Sequence, residues 1–303
     1  MNTINISKRK FDTLEPFILP NSVMNTEAQL FIFPIKNRWE NQTKLLKKFY
    51  LTSGMNFGNK LQTINSLIDY RDTIDIEEIV FPEKLAIVNQ QAVGYIMPLI
   101  QSVNLDIALK SGKVPIETKI RYLKEIGELL ERMRKVRRYT ELKDFYLNDI
   151  HENNFIIDTT TDHIKVVDID SCKINDNFVF GAKYLSPRSL ISSMGNLNKY
   201  KRENRLSCGG HYIPSIDTEL YCYIIMILNF LSGVNINNMT PEEYYDYLDY
   251  LISIGINKEL IDIFEKVLTN TDNENPYELL DTLIPYAYQS HHNVYTYIKK
   301  KKR

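Results

Sequence analysis

The hydrophobic period of this chain changes near residue 100, and no other feature limits its possible folds as strongly. Before that point the apolar residues come in short runs: Phe17-Ile18-Leu19, Leu30-Phe31-Ile32-Phe33, Leu45-Leu46, Leu85-Ala86-Ile87-Val88 and Ala92-Val93-Gly94-Tyr95-Ile96-Met97. Their length and flanking turn residues predict strands. Between them, Asn59 to Ile74 sets Leu61, Ile64, Leu67 and Ile68 at three- and four-residue spacing, so one helix is expected beside a small sheet. After residue 100 the spacing turns helical. From Pro115 to Val136, residues Ile116, Ile120, Leu123, Ile126, Leu130 and Met133 recur on one face, with Pro115 where a first helical turn favours it. The basic run Arg132 to Arg138 reads as the solvated end of this helix. Further helices are expected over Asp217 to Leu231, Pro241 to Ile254, Lys258 to Leu268 and Pro276 to Tyr286. The expectation is an α+β chain: a small β-rich part over residues 1–100, then a larger, mainly helical part over residues 101–303.

Charge closes off one class of function. Lys plus Arg number 37 against 38 Asp plus Glu, a formal charge of −1, so no chain-wide basic field draws the protein to nucleic acid. The basic tail Lys299 to Arg303 adds local attraction to an acidic surface at most. At 303 residues the length suggests about two domains of ~150 residues each. The longest apolar stretch, Tyr221 to Leu231, is interrupted by Asn229 and falls short of the roughly 20 residues that span a bilayer. No membrane span is expected. The opening MNTINISKRKFDTLEPF has no signal-type apolar core, and Cys172, Cys208 and Cys222 are too few and scattered for a disulfide framework. Both point to the cytoplasm.

The chemistry concentrates between residues 147 and 170. Two short β-like runs, Asn154-Phe155-Ile156-Ile157 and Ile164-Lys165-Val166-Val167, are separated by a polar turn and read as a hairpin. Asp149 precedes the first run, Asn154 opens it, and Asp168 closes the second. All three therefore fall at one end of the hairpin. Mg²⁺ takes hard oxygen ligands, typically one or two carboxylates plus substrate phosphates, so Asn154 and Asp168 are candidates to hold it while Asp149 faces an attacking hydroxyl. A purely structural role for Asp149 and Asn154 as turn-formers competes with this reading.

These residues resemble the protein-kinase-like superfamily, whose catalytic loop carries Asp, four residues and Asn, and whose metal-binding Asp opens a three-residue motif after the next strand. Here the second motif is Asp168-Ile169-Asp170. The likeness extends along the chain. Gly181-Ala182-Lys183-Tyr184-Leu185-Ser186-Pro187-Arg188 is similar to the end of an activation segment, and Ser215-Ile216-Asp217 to the start of the central helix whose Asp braces the catalytic loop. Val93 to Pro98 resembles the strand leading into an adenine-binding hinge between Met97 and Ser102. Lys44-Leu45-Leu46-Lys47-Lys48-Phe49 resembles the strand of the phosphate-pairing lysine, with Lys47 preferred to Lys48. The resemblance implies a bilobal kinase fold binding ATP and Mg²⁺. Asp149 would act as base or hydroxyl-orienting group, Asn154 and Asp168 as metal ligands, and Lys47 at the α and β phosphates, with a protein Ser/Thr as acceptor.

Departures from the family pattern keep rivals in play. No glycine precedes Gly54, so Leu19 to Asn25 has to serve as the covering turn without the close backbone approach that glycine allows. The stretch Asn59 to Ile74 holds no Glu to pair with the lysine; Asp69, Asp72 and Glu77 are the substitutes. Both favour a pseudokinase, a nucleotide-binding or protein-interaction module. His151, two residues after Asp149, resembles the small-molecule branch of aminoglycoside and choline kinases, which makes a small-molecule hydroxyl the other acceptor. Asn148 stands where regulated kinases carry an Arg, and no Ser or Thr lies between Cys172 and Leu185, so control by loop phosphorylation is not expected. Ser189 to His211 reads as an insertion that is either a partner contact or a long surface loop. Cys208-Gly209-Gly210-His211 has no second ligand pair and reads as a loop turn.

Overall fold

The computed structural model describes residues 2–18, 27–36, 41–179, 182–185, 190, 212–269 and 273–287. Its N-terminal part is built on a five-stranded sheet of β1 (Thr3–Asn5), β2 (Ala28–Lys36), β3 (Asn41–Phe49), β4 (Lys84–Val88) and β5 (Gln91–Pro98), in the order β1-β4-β5-β3-β2. Strand β3 is held antiparallel on both sides, by β2 and by β5. Alternation along it sends Leu45, Lys47 and Phe49 to one face and Leu46 and Lys48 to the other. The first face packs with Tyr95, Met97 and Ile64 under helix α2 (Met55–Asp69). The second packs with Phe33, Ala86 and Ile96 against Phe11 of the short helix α1 (Lys8–Phe11).

Three elements differ from expectation. Strand β1 and α1 stand where the residues show no pattern long enough to read; β1 exists because it pairs parallel with β4. Phe17 and Ile18 form no strand: Pro16, which has no N–H to give a ladder, makes only an isolated bridge to Phe31, and Ile18 is exposed. Helix α2 begins at Met55 and stops at Asp69, and a separate turn, α3 (Arg71–Ile74), follows.

Past residue 100 a three-stranded sheet of β6 (Ser102–Asn104), β7 (Phe155–Asp158) and β8 (His163–Val166) runs in chain order beside α4 (Leu105–Lys110) and α5 (Ile116–Tyr139). Helix α6 (Ile216–Ser232) is buried almost all round, as its unbroken apolar run requires. Its N-cap is Ser215, in a capping box with Thr218; Asp217 sits in the first turn instead of capping it. Helices α7 (Pro241–Ser253) and α8 (Lys258–Leu268) follow, and the last expected helix is a 3-10 segment, Pro276–Leu283. The helical core and the sheet part join where residues 78 to 80 lie along β8: Val166 N–H donates to Glu78 O at 2.8 Å and Val80 N–H to Val166 O at 3.0 Å. Among the described residues no helix is long and apolar enough to cross a membrane.

The basic run at the end of α5 is not wholly solvated. Arg137 is buried, because Phe145 O and the Glu219 carboxylate draw its guanidinium inward.

Candidate functional site

Lys47 reaches the site because strand alternation turns it toward α2, into a space walled by Phe49 and Tyr95, whose rings lie 5.8 and 5.7 Å from its Nζ. Lys48, one residue on, points to the opposite face over Phe11. A buried ammonium requires counter-charge. Lys47 Nζ finds it across 121 positions of sequence in Asp168, and 2.5 Å away in Asp170 Oδ2. Burial alone would lower the Lys47 pKa; the two carboxylates outweigh it and hold it well above the ordinary lysine value.

The hairpin sets the other side. Val167 N–H donates to Asn154 O at 2.8 Å, so the chain entering β7 and the chain leaving β8 are paired at the end that carries Asn154 and Asp168. Asp168 adopts left-handed backbone angles, φ 60° and ψ 41°, which Asp takes more readily than most residues with a side chain and which other Asp and Asn of this chain share. Asn154 Nδ2 donates to Asp149 O at 2.8 Å and stands 3.3 Å from Asp149 Oδ2. That spends the amide nitrogen on Asp149 and leaves the amide oxygen for another partner.

Asp149 is clasped on both oxygens. Oδ1 accepts the Lys183 backbone N–H at 2.7 Å, and His151 Nε2 lies 3.3 Å from Oδ2. His151 Nδ1 accepts the Asn153 N–H at 3.2 Å, which assigns the ring proton to Nε2 and makes it a donor to Asp149. Burial pushes the Asp149 carboxyl up, but His151, the Lys183 N–H and Asn154 outweigh it and leave its pKa below the ordinary carboxylate range. Lys183 Nζ, in turn, pairs with Glu152 Oε1 at 2.6 Å, and Asn148 Nδ2 donates to Val179 O at 2.6 Å. Leu147 to Ile150 and Val166 to Ile169, Asp149 and Asp168 among them, line a small crevice.

Two pairs thus form, Lys47 with Asp168 and Asn154 with Asp149, and the backbone bond from Val167 N–H to Asn154 O ties the segments that carry Asn154 and Asp168. Met97 is part of neither pair: on β5, opposite Leu45, its side chain is spent in the apolar cluster under the sheet. Of the acids named as substitutes for a helix Glu, Asp69 accepts from Asn2 instead. Lys47 is paired from the 3-10 turn Ile169–Ser171, by Asp170.

Four residues at or behind the site escaped the reading from sequence. Asp170 is one. Lys60 on α2 is another; it pairs with Glu27 and lies 3.4 Å from Asp170 Oδ1. A lysine in register with Ile64 and Leu67 on a buried helix stripe was the available signal. The others are Glu219 and Arg137. Glu219 Oε1 accepts the Leu147 N–H at 2.8 Å, two residues before Asp149, and Arg137 Nη2 stands 3.1 Å from Oε2. Glu219 therefore braces the loop from α6. The expected covering turn 19–25, the insertion 189–211 apart from Leu190, and the motif 208–211 lie outside the described residues.

The residues fit a magnesium ion on the chemistry of their donors. Asp168 offers a carboxylate, 34% exposed, and Asn154 an amide oxygen, both hard ligands of the kind Mg²⁺ takes. Among the described residues no group of three or more His, Cys, Asp or Glu could hold a metal by itself. Any ion here would complete its shell from phosphate and water. In comparisons with known proteins, no family model and no curated protein matches the chain.

Proposed function

We propose that the chain is an ATP- and Mg²⁺-dependent phosphotransferase with a bilobal protein-kinase-like fold, acting on a protein Ser/Thr hydroxyl. One observation carries the reading: Lys47 of the sheet part meets Asp168 at the hairpin end where Asn154 also holds Asp149. Lys47 would neutralise the α and β phosphates once ATP displaces Asp168 from it. Asn154 and Asp168 would hold a magnesium ion, which supplies charge neutralisation at the transferring phosphoryl group. Asp149, ionised at neutral pH and a weak base there, orients the acceptor hydroxyl more than it pulls its proton.

A small-molecule hydroxyl as acceptor is the second reading, favoured by the contact of His151 with Asp149. Incubation with [γ-³²P]ATP and Mg²⁺ separates the outcomes. Label on the chain or on a generic protein, lost in Asp149→Asn, is expected. ATP consumption that depends on an added alcohol and leaves protein unlabelled would select the second reading. Stabilisation by ATP without turnover would mean a pseudokinase and overturn both.

A further inference from the structure

Lys47 has two carboxylate partners in very different settings. The Asp168 side chain is 34% exposed and that of Asp170 only 1%. Asp170 is also enclosed by groups that lock it: Tyr95 donates its hydroxyl to Oδ2 at 3.2 Å, and Lys60 Nζ lies 3.4 Å from Oδ1, at ion-pair distance but outside hydrogen-bond alignment. Lys60 in turn is tied to Glu27. Asp168 makes the shorter contact with Lys47, but water screens that pair at the mouth, whereas the pair with Asp170 is sealed from solvent. Asp170 is enclosed, whereas Asp168 is partly open to solvent at the crevice.

We propose that Asp170 is the positioning residue that keeps Lys47 in place, that Lys60 anchors it to α2, and that Asp168 is thereby free to leave the lysine for a cation. The arrangement compensates for the absence of a Glu on α2, whose Asp69 is taken by Asn2, by drawing the counter-charge from the 3-10 turn and giving the helix the opposite sign. Asp170 touches neither phosphate nor metal in this account and acts only through Lys47. The purpose of holding Lys47 rests on the kinase reading; the coupling between the two residues does not.

Nitrogen-15 NMR of the full chain, labelled on lysine side chains, reads the lifetime of each ammonium proton. Asp170→Asn is expected to shorten the Lys47 lifetime about tenfold or more, while Lys44, paired with Glu83 at 2.9 Å on the same strand, is unchanged. Asp168→Asn is expected to change the Lys47 lifetime by less than about threefold. An unaltered Lys47 lifetime in Asp170→Asn, or an equal loss in Asp168→Asn, would overturn the assignment. If Asp170→Asn does not melt cooperatively, the Asp168→Asn arm decides by the same thresholds. Neither arm needs phosphate transfer, so a wild-type chain that moves no label from ATP sinks the kinase reading and leaves this one standing.

Discussion

Burial pushes the Asp170 carboxyl up, yet Lys47 and Lys60 bring it down to about 2 from an ordinary 3.8. A carboxyl depressed on folding stabilises the chain above its unfolded pKa, and that contribution is lost as pH falls from 3.8 toward 2. Glu219 runs the other way. Burial pushes it up to about 7 from 4.5, against Arg137 and the Leu147 N–H, so its contribution is full below 4.5 and lost as pH rises through 7. Glu219→Gln should remove that decline, a change on the order of 3 kcal/mol between the two pH limits. Urea unfolding from pH 4.5 to 8 checks it, and an unchanged slope in the variant would contradict it. Lys47→Met should cost about 3 kcal/mol by stranding the buried Asp170 carboxylate, whereas Lys48→Met should stay within about 0.5 kcal/mol. Equal costs in denaturant would mean that the two lysines are not separated by the strand.

At the scale of elements, β3 and β5 approach closely enough that only glycine fits at position 94. A Cβ there would stand 1.8 Å from Lys47 O, and neither backbone can yield without parting the strands. Gly94→Ala is therefore expected to cost about 1–3 kcal/mol and to displace Lys47. A urea midpoint equal to wild type would contradict it. Part of this level was legible: the short apolar run Leu45-Leu46 of β3, the stripe of Ile64 and Leu67 on α2, and the hairpin of β7 and β8 follow from local patterns, whereas the face that Lys47 takes on β3 does not, since Lys44 to Phe49 shows no alternation. What was not legible depends on partners. Thr3–Asn5 becomes a strand only beside β4, and Pro276–Leu283 carries a helical stripe that does not distinguish a 3-10 turn from an α-helix. Asp170 was visible only as the end of a motif, because its lysines come from β3 and α2, far away in sequence.

Over the whole molecule, the sheet part and the helical part meet through the strip of residues 78 to 80 on β8 and through Lys47 with its two acids. Mixed α+β content with strands early and helices late was readable from the change of period near residue 100. The meeting of Lys47 with Asp168 was not, since no local spacing reports a contact spanning 121 residues. A ligand that bridges both parts should stabilise them together. At a hundred times its dissociation constant MgATP is expected to add about 2.7 kcal/mol, seen as a rise in Tm that Lys47→Met abolishes. As proposed, Asn154 and Asp168 share a divalent cation beneath a triphosphate, with Lys47 on the phosphates. Anomalous diffraction from crystals grown with Mn²⁺ and a non-hydrolysable ATP analogue tests it most directly. One manganese peak touching both side chains is expected; a peak elsewhere, or nucleotide bound away from Lys47, would overturn the proposal.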